Sequence, residues 1–500
     1  MEKPLVPFTV LGLAPFDLRN GKPWSGPPMD IDSESFDRVM KSLNISVCVP
    51  MPESLHPPGD IRVHVRGLKD FHPDRLIENT PALKGLLAAG SPAGKHESGS
   101  PREAHGVGES AIERILGMVS LPEERPSSTS AAGQRPSRHD ETLEQILGLV
   151  LGNPDFRNLE ASWRGLRTLM RQTGSSSLLR VQIVPASLDT LEETLDTLLI
   201  ELLEHLPSLI LVDLPFDASP RSLELLEKIA SIAETLMAPA VCSIVPKFFH
   251  LESWKDLDKI GYLPHFLDEP AYAGWRRLRR LPASHWLALA CNGFLARYPY
   301  GPENPTKHRP FREEHALFAS PVWALGSLIL QSLRENGWPT AFTDWPRIRL
   351  EDLPATSHGK KYALSTEVLF SEDRIAQFIE AGIIPLAAVR NRDIAFTPLE
   401  TTISGESHSL REQLFVSRVV RLFFWLKDRV PEGMKPAEAE EELRRGFTLA
   451  WEATGAPPPE RLEISMSKPA VQGPALLSLV IRPPRQILPL GETFTLQFKW

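Results

Sequence analysis

The apolar positions change rhythm along the chain, and each change marks a part of it. An apolar run from Pro7 to Leu13 predicts a strand, buried or shared. Residues 30–42 place Phe36, Val39 and Met40 on one helical face, with Asp30 or Asp32 as the expected N-cap. Ile45–Val49 and Ile61–Val65 have the pattern of strands, and Leu76, Leu83, Leu86 and Leu87 predict a helix over 74–88. From 141 onward strands and helices alternate. Helices are expected over 155–172, 187–205 and 219–237, and strands at Val181–Val184, Leu209–Leu214 and Ala240–Val245. The continuous run LILVDL at 209–214 is what a strand covered on both faces requires. Residues 310–430 read as more helical and loop-rich. After 460 the rhythm is strand-like again, at Leu462–Ser467, Ala475–Ile481 and Thr493–Trp500. The fold class that follows is α/β: a mixed, partly parallel central sheet flanked by helices, with a smaller α/β N-terminal part and a β-rich C-terminal segment.

The rhythm is lost between 89 and 140. Residues 89–110 and 121–140 are rich in Ser, Pro, Gly and charge, and bury too little apolar surface to offset their ordering entropy. They predict a flexible linker. An island inside it, Ala111–Val119 (AIERILGMV), nearly repeats Thr142–Val150 (TLEQILGLV) and predicts a short amphipathic helix with Ile112, Ile115, Leu116 and Val119 as its stripe. Such an island suits either docking to a partner or packing back on its own domain. The expected division is therefore 1–88, a linker at 89–140, a domain at 141–460 and a C-terminal β segment at 461–500.

Composition narrows the function. A net charge of −8 argues against generic nucleic-acid or anionic-membrane binding, and the basic cluster Arg276, Arg277, Arg279 and Arg280 reads as a solvated helix face or a subunit contact. Cys48, Cys242 and Cys291 lie far apart, which fits buried thiols in a reduced compartment. Apolar runs such as Leu287–Ala296 and Leu317–Leu330 fall short of the roughly 20 residues a membrane span needs. A cytoplasmic chain without membrane insertion is expected.

Candidate chemistry is sparse. Gly90–Lys95 (GSPAGK) is one residue too short for a phosphate loop and lies in the linker. Asp30, Asp32 and Glu34 begin like a calcium loop, but Ser35 and Lys41 occupy the positions of the required Gly and Glu. Glu313 and Glu314 with His315 have no nucleophile or metal partner at a defined spacing, so ion pairing on a helix surface is expected there. Trp163 and Arg164 suit helix packing better than a ligand stack. No cofactor, metal or catalytic residue is predicted, and the chain reads as a non-enzyme.

Two stretches carry a family resemblance. Asp30–Met40 (DIDSESFDRVM), together with Asp70–Asp74 (DFHPD) followed by Pro81, Leu83, Leu86 and Leu87, resembles the small subunit of the bacterial type VI secretion contractile sheath. Asn153–Leu166 (NPDFRNLEASWRGL), with Glu160, Trp163, Arg164 and Gly165, resembles the large subunit. Further matches follow in order: Asp213, Trp275–Arg276, Arg297 with Pro299–Gly301, Glu313–Glu314, Trp323, Gly337–Trp338, Asp352–Pro354 and Ser365–Val368. Departures are Arg157 for the usual Gln, Phe318 for a Trp, and Phe424 and Trp425 for a His-Tyr pair.

The resemblance implies two interlocked α/β regions and a contractile tube around an inner tube of stacked rings, with neighbouring copies sharing strands. The partners it implies are other copies of the chain, separate sheath subunits, the inner-tube protein, a baseplate and a recycling hexameric ATPase that would take the 111–119 helix. Apolar strands at both chain ends predict edges that a polymer can pair. The expected interface and fold-defining residues are Pro7, Val10, Leu13, the Glu160–Gly165 block, Leu477, Leu479, Ile481, Phe494, Leu496 and Phe498. A diverged accessory scaffold that does not polymerise is the alternative.

Overall fold

A computed structural model describes residues 6–18, 21–55, 59–90, 138–174, 178–308, 311–357, 361–405, 408–431, 433–467 and 475–500. The island at Ala111–Val119, with Ile112, Ile115, Leu116 and Val119, lies outside them.

The N-terminal part contributes β1 (Phe8–Ala14), β2 (Met29–Ile31), α1 (Phe36–Ser42), the hairpin β3 (Ile45–Val49) and β4 (Ile61–Val65), and the helices α2 (Pro73–Asn79) and α3 (Pro81–Gly90). The single helix expected over 74–88 is two, because Pro81 cannot continue the hydrogen-bond ladder of α2. The rest follows as α4 (Arg138–Gly152), α5 (Pro154–Thr173), β5 (Leu179–Pro185), α6 (Leu191–Glu204), β6 (Leu209–Phe216), α7 (Pro220–Leu236), β7 (Ala240–Ile244), β8 (Leu287–Cys291), α8 (Pro321–Asn336), α9 (Glu372–Glu380) and β9 (Ile383–Pro385). Two long helices, α10 (Leu410–Lys427) and α11 (Pro436–Ala453), then lead into β10 (Arg461–Ser467), β11 (Leu476–Arg482) and β12 (Phe494–Lys499).

Seven strands form the central sheet in the order β9-β8-β7-β6-β1-β5-β2. All neighbours are parallel except β2 and β5. The fold is thus α/β with a mixed, mostly parallel sheet. Its centre is the N-terminal strand. Phe8 N donates to Leu178 O while Thr9 O accepts from Ser208 N, so successive residues of β1 bond alternately to β5 and β6. Val10 enters the core on one face of the sheet, and Leu11 and Leu13 the core on the other. The expectation that Pro7–Leu13 leaves an edge for another copy is therefore corrected: a strand held on both sides has no edge to offer.

One face of the sheet is covered by α5 and α8, and beyond them by the hairpin, α1, α2, α3 and α4. The other is covered by α6 and α7. The C-terminal strands form a separate antiparallel sheet, β10-β11-β12, whose inner face packs on α10 and α11 around Trp338, Phe415, Phe447 and Trp451. Helix α10 ties this unit to the main sheet. Ser417 Oγ donates to Ser208 O, Arg418 to Val6 O, and the buried Arg421 to the carbonyls of Pro207 and Leu236. Neither arginine meets a carboxylate among these contacts, and burial lowers their pKa to about 10 for Arg418 and about 9 for Arg421.

Candidate assembly interface

The joint between the N-terminal and large parts grows from α5. Asn153 caps it by accepting from Phe156 N at 3.1 Å, and Pro154 fixes its first turn. Its buried face then carries Phe156, Leu159, Glu160, Trp163, Leu166 and Met170. Glu160, 1% exposed, accepts from Arg164 Nε at 2.7 Å and from Arg297 Nε at 2.8 Å. Arg297 also donates to Glu313 at 2.6 Å, Glu313 accepts from Tyr300 N, and Arg297 lies 4.1 Å from the Tyr300 ring. Arg157 closes the set, donating to the carbonyls of His315 and Ala316 and pairing with Glu313. Burial pushes the Glu160 carboxyl up, but Arg297 and Arg164 outweigh it and hold the pKa below the usual range. At Arg297 the carboxylates of Glu160 and Glu313 outweigh burial and raise the pKa.

Trp163, fully buried, donates its Nε1 to Phe16 O at 3.1 Å and meets the Phe16 and Phe36 rings at 5.0 and 5.4 Å. Gly165 lets Trp323 reach α5. A Cβ there would lie 2.2 Å from Trp323 Cδ1, and one on Gly12 of β1 would lie 2.9 Å from the same ring. Trp323 Nε1 and Ser162 Oγ both donate to Asp213 at 2.7 Å; burial raises that carboxyl's pKa against both donors. Truncating a buried Trp of this kind costs roughly 3–5 kcal/mol. A second clasp joins the DFHPD motif to the large part: the buried Asp74 carboxylate accepts from Lys307 N and His308 N at 3.0 Å.

The C-terminal sheet is different in kind. Leu477, Leu479 and Ile481 of β11 are buried and paired on both sides, with Leu479 opposite Ile464 and Leu496. Phe498 is buried and stacks on Phe423 at 3.8 Å, and Phe494 meets Phe415 at 5.3 Å. Trp500 N donates to Ala475 O. By the two-residue alternation of an antiparallel ladder, Phe494, Leu496 and Phe498 then bond to β11, while Thr495, Gln497 and Lys499 turn their peptide groups outward. Among the described residues those of Thr495 and Gln497 meet no partner, and Lys499 O accepts from Lys427 Nζ at 3.0 Å. On the far side, the peptide groups of Leu462, Ile464 and Met466 turn outward from β10. There α11 runs alongside, and Glu440 accepts from Met466 N at 2.6 Å.

The structure corrects three further expectations. Glu313 lies on no helix surface; it is buried in the Arg297 network, in an irregular segment where a helix had been expected. Neither Asp30 nor Asp32 caps α1. Its N-cap is Ser35, whose N–H donates to Asp32, while Asp30 pairs with Arg180 across the sheet. Cys48 is exposed, whereas Cys242 and Cys291 are buried. The sequence reading missed Asp74 as a clasp and the convergence of Arg297 on Glu160, 137 residues away. The only signal for either was that both residues fell in the matched motifs. The cluster Arg276, Arg277 and Arg279 is spent on internal partners, among them Glu269 O, Glu227 and Ile403 O. Among the described residues no His, Cys, Asp and Glu side chains group as a metal site, and no helix is long and apolar enough to cross a membrane.

Comparison with known proteins assigns the family. Residues 136–201 and 207–402, more than half of the chain, match the VipB (EvpB) tail sheath N-terminal domain, and residues 19–91 match the type VI secretion system VipA family. The type VI secretion system sheath protein TssC1 of Pseudomonas aeruginosa is 26% identical over 288 residues, 51% of this chain and 58% of the relative, so the chain spans less than two thirds of that protein's length. Among solved structures, a chain of the anti-feeding prophage baseplate aligns over 67% of this chain and 75% of its own length, with 12% identity and a TM-score of 0.35. On the family matches, the chain belongs to the type VI secretion sheath family and carries a small-subunit-like and a large-subunit-like part in one polypeptide.

Proposed function

We propose that this chain is a structural subunit of a type VI secretion contractile sheath, which polymerises around an inner tube and contracts to drive that tube outward. The observation that carries the reading, beside family membership, is the separate C-terminal sheet, whose outer strand β12 pairs with β11 on one side and, among the described residues, with no strand on the other. An added strand gains a row of backbone hydrogen bonds, each worth about 1 kcal/mol net. Obligate interfaces of this kind bury about 2,000–5,000 Å². The role is mechanical, not enzymatic, and fits a cytoplasmic protein. Its partners are other copies of the chain, an inner-tube protein and a baseplate, and the Ala111–Val119 island is the candidate docking helix for a recycling ATPase.

The fusion has a physical use. One polypeptide fixes the ratio of the small-subunit-like and large-subunit-like parts at one to one.

Electron microscopy of the purified full chain tests the reading. Tubes or rings are expected. Monomers that persist at high concentration would instead assign the non-polymerising accessory role.

A further inference from the structure

Three guanidinium groups meet only two carboxylates in the network around Glu160. Arg157, Arg164 and Arg297 serve Glu160 and Glu313, so positive charge is in excess. Arg297 is spent on both carboxylates, and Arg157 on Glu313 and two carbonyls. Arg164 is the member with donors to spare. Its Nε goes to Glu160 at 2.7 Å, and among the described residues neither of its terminal amino groups meets a hydrogen-bond partner. Its side chain, 23% exposed, lines a cavity of about 430 Å³ on the seam between the two parts of the chain. Lys69, His72 and Arg75 line that cavity from the N-terminal part, and Lys307 joins Arg164 from the large part. The neighbouring acids are engaged. Asp74 accepts from the N–H groups of Lys307 and His308, and Glu78 pairs with Arg75 at 2.6 Å and His308 at 2.9 Å. Neither the Lys69 nor the Lys307 ammonium has an ion-pair partner among the described residues. Cations are thus gathered in one place on a chain whose net charge is −8.

We infer that this cavity is an oxyanion site that takes a phosphate group, held by the terminal amino groups of Arg164 and by the Lys69 and Lys307 ammoniums, and that the bound anion ties the N-terminal part to the large part. A guanidinium presents its N–H groups as a planar fork that matches phosphate oxygens, and lysine adds charge without fixing direction. Cations that reach a ligand from two parts of the chain need acceptor oxygens pointing several ways. A phosphate group offers them, whereas a carboxylate holds its two oxygens in one plane. The anion also supplies the counter-charge that three guanidiniums on two carboxylates leave unfilled, in a place where a partly buried charge without a partner is costly. The seam already depends on the Asp74 clasp, and a phosphate beside it would add a second fastening between the same two segments. The inference does not draw on the self-assembly reading, so either can fail without the other.

Calorimetric titration of the full chain with orthophosphate and with pyrophosphate tests the site, with sodium chloride holding the ionic strength constant. Saturable binding is expected, tighter for pyrophosphate, which carries more charge. Lys307→Gln and Lys69→Gln should each weaken it about fivefold or more. Lys435→Gln, at the start of α11 and outside the cavity, should leave it within about 1.5-fold. Arg164→Gln should abolish binding. Because that change also takes a partner from Glu160, the two lysine variants decide the matter, each checked for a native fold by circular dichroism. Phosphate should also slow hydrogen exchange in both segments that meet at the cavity, 68–79 and 300–308. Heat that does not saturate, acetate that binds as tightly as phosphate at equal ionic strength, or an affinity unchanged in both lysine variants overturns the site. Slower exchange in one segment alone overturns the tie between the two parts.

Discussion

The seven-stranded sheet ends on β2 and β9, three residues each, whereas the three-stranded sheet ends on β10 and β12, seven and six residues long. In the large sheet β9 is buried, flanked by α9, and ends at Pro385, which has no N–H to donate. β2 is short, and its exposed Asp30 forks onto Arg180 of β5 with two bonds of 2.6 Å. Both are devices that finish a sheet. Among the described residues the small sheet has one edge met by Glu440 and one, β12, whose Thr495 and Gln497 peptide groups meet no partner. Of these two sheets the large one is finished at both ends, and the small one leaves those outward peptide groups without a partner among the described residues.

Proline in β1 should sharpen that contrast most. Val10→Pro removes a donor to β5 in the middle of a fully covered sheet, and its ring collides with packed neighbours. The expected loss is about 4 kcal/mol or more, enough to leave little folded protein. Gln497→Pro, a substitution of the same type in the outer strand, should leave a folded chain that does not assemble. A soluble, folded Val10→Pro chain would mean that β1 is dispensable to the sheet, and the contrast would collapse.

Glu160→Ala comes next. It leaves Arg297 buried with only Glu313 to face, and breaking a buried ion network in this way costs roughly 3–5 kcal/mol. The loss should appear in chemical denaturation of the whole chain, since Glu160 joins α5 to the 297–316 segment. A loss below about 1 kcal/mol would show the network to be ornamental.

These two substitutions also divide what was legible in the sequence from what was not. The strands at Leu209–Phe216 and Ala240–Ile244 were readable because a continuous apolar run has few other meanings. Pro7–Leu13 was readable as a strand but not as a central one. A strand covered on both faces and a strand shared between copies demand the same side chains, and the hydrogen-bond partners that tell them apart leave no mark on local pattern. Val10 and Leu13 are therefore core residues of one molecule. By contrast Ala475–Ile481 was readable only as a strand: its sequence is apolar almost throughout, and the alternation of the buried Leu477, Leu479 and Ile481 with more exposed neighbours belongs to the fold. The Glu160–Arg297–Glu313 network was invisible for a different reason: charge pairing across 137 residues has no period at all. Glu313 looked like a surface acid only because its partner was not in view.

Acid and alkali should act on the two kinds of carboxyl in opposite senses. Burial pushes Glu367, beside the end of β8, from the ordinary 4.5 up to about 7, against the Gly293 N–H that it accepts. A carboxyl whose folded-state pKa is raised stabilises the fold below its unfolded pKa, and that stability is lost as pH rises through about 7. Glu160 is depressed, so its contribution is present at neutral pH and lost on acidification. Urea midpoints should therefore fall between pH 5 and pH 8 by the equivalent of about 1–3 kcal/mol, and Glu367→Gln should flatten most of that slope. An unchanged slope in the variant would place the titrating group elsewhere, with Glu412, also raised to about 7 by burial, as the next to substitute.

The smallest effect belongs to the edge of the large sheet. The Asp30 and Arg180 side chains are 56% and 50% exposed, so their pairing is screened by water and salt. Asp30→Ala should cost less than about 0.5 kcal/mol. The informative readout is association rather than stability. If β2 is harmless because it is only three residues long, its loss of charge should create no new self-association by light scattering, since so few backbone groups cannot hold a second strand. If Asp30→Ala did provoke pairing through β2, shortness would not be what finishes the large sheet. Between these two sheets, the edge of β12 would then no longer be the one left open to pairing.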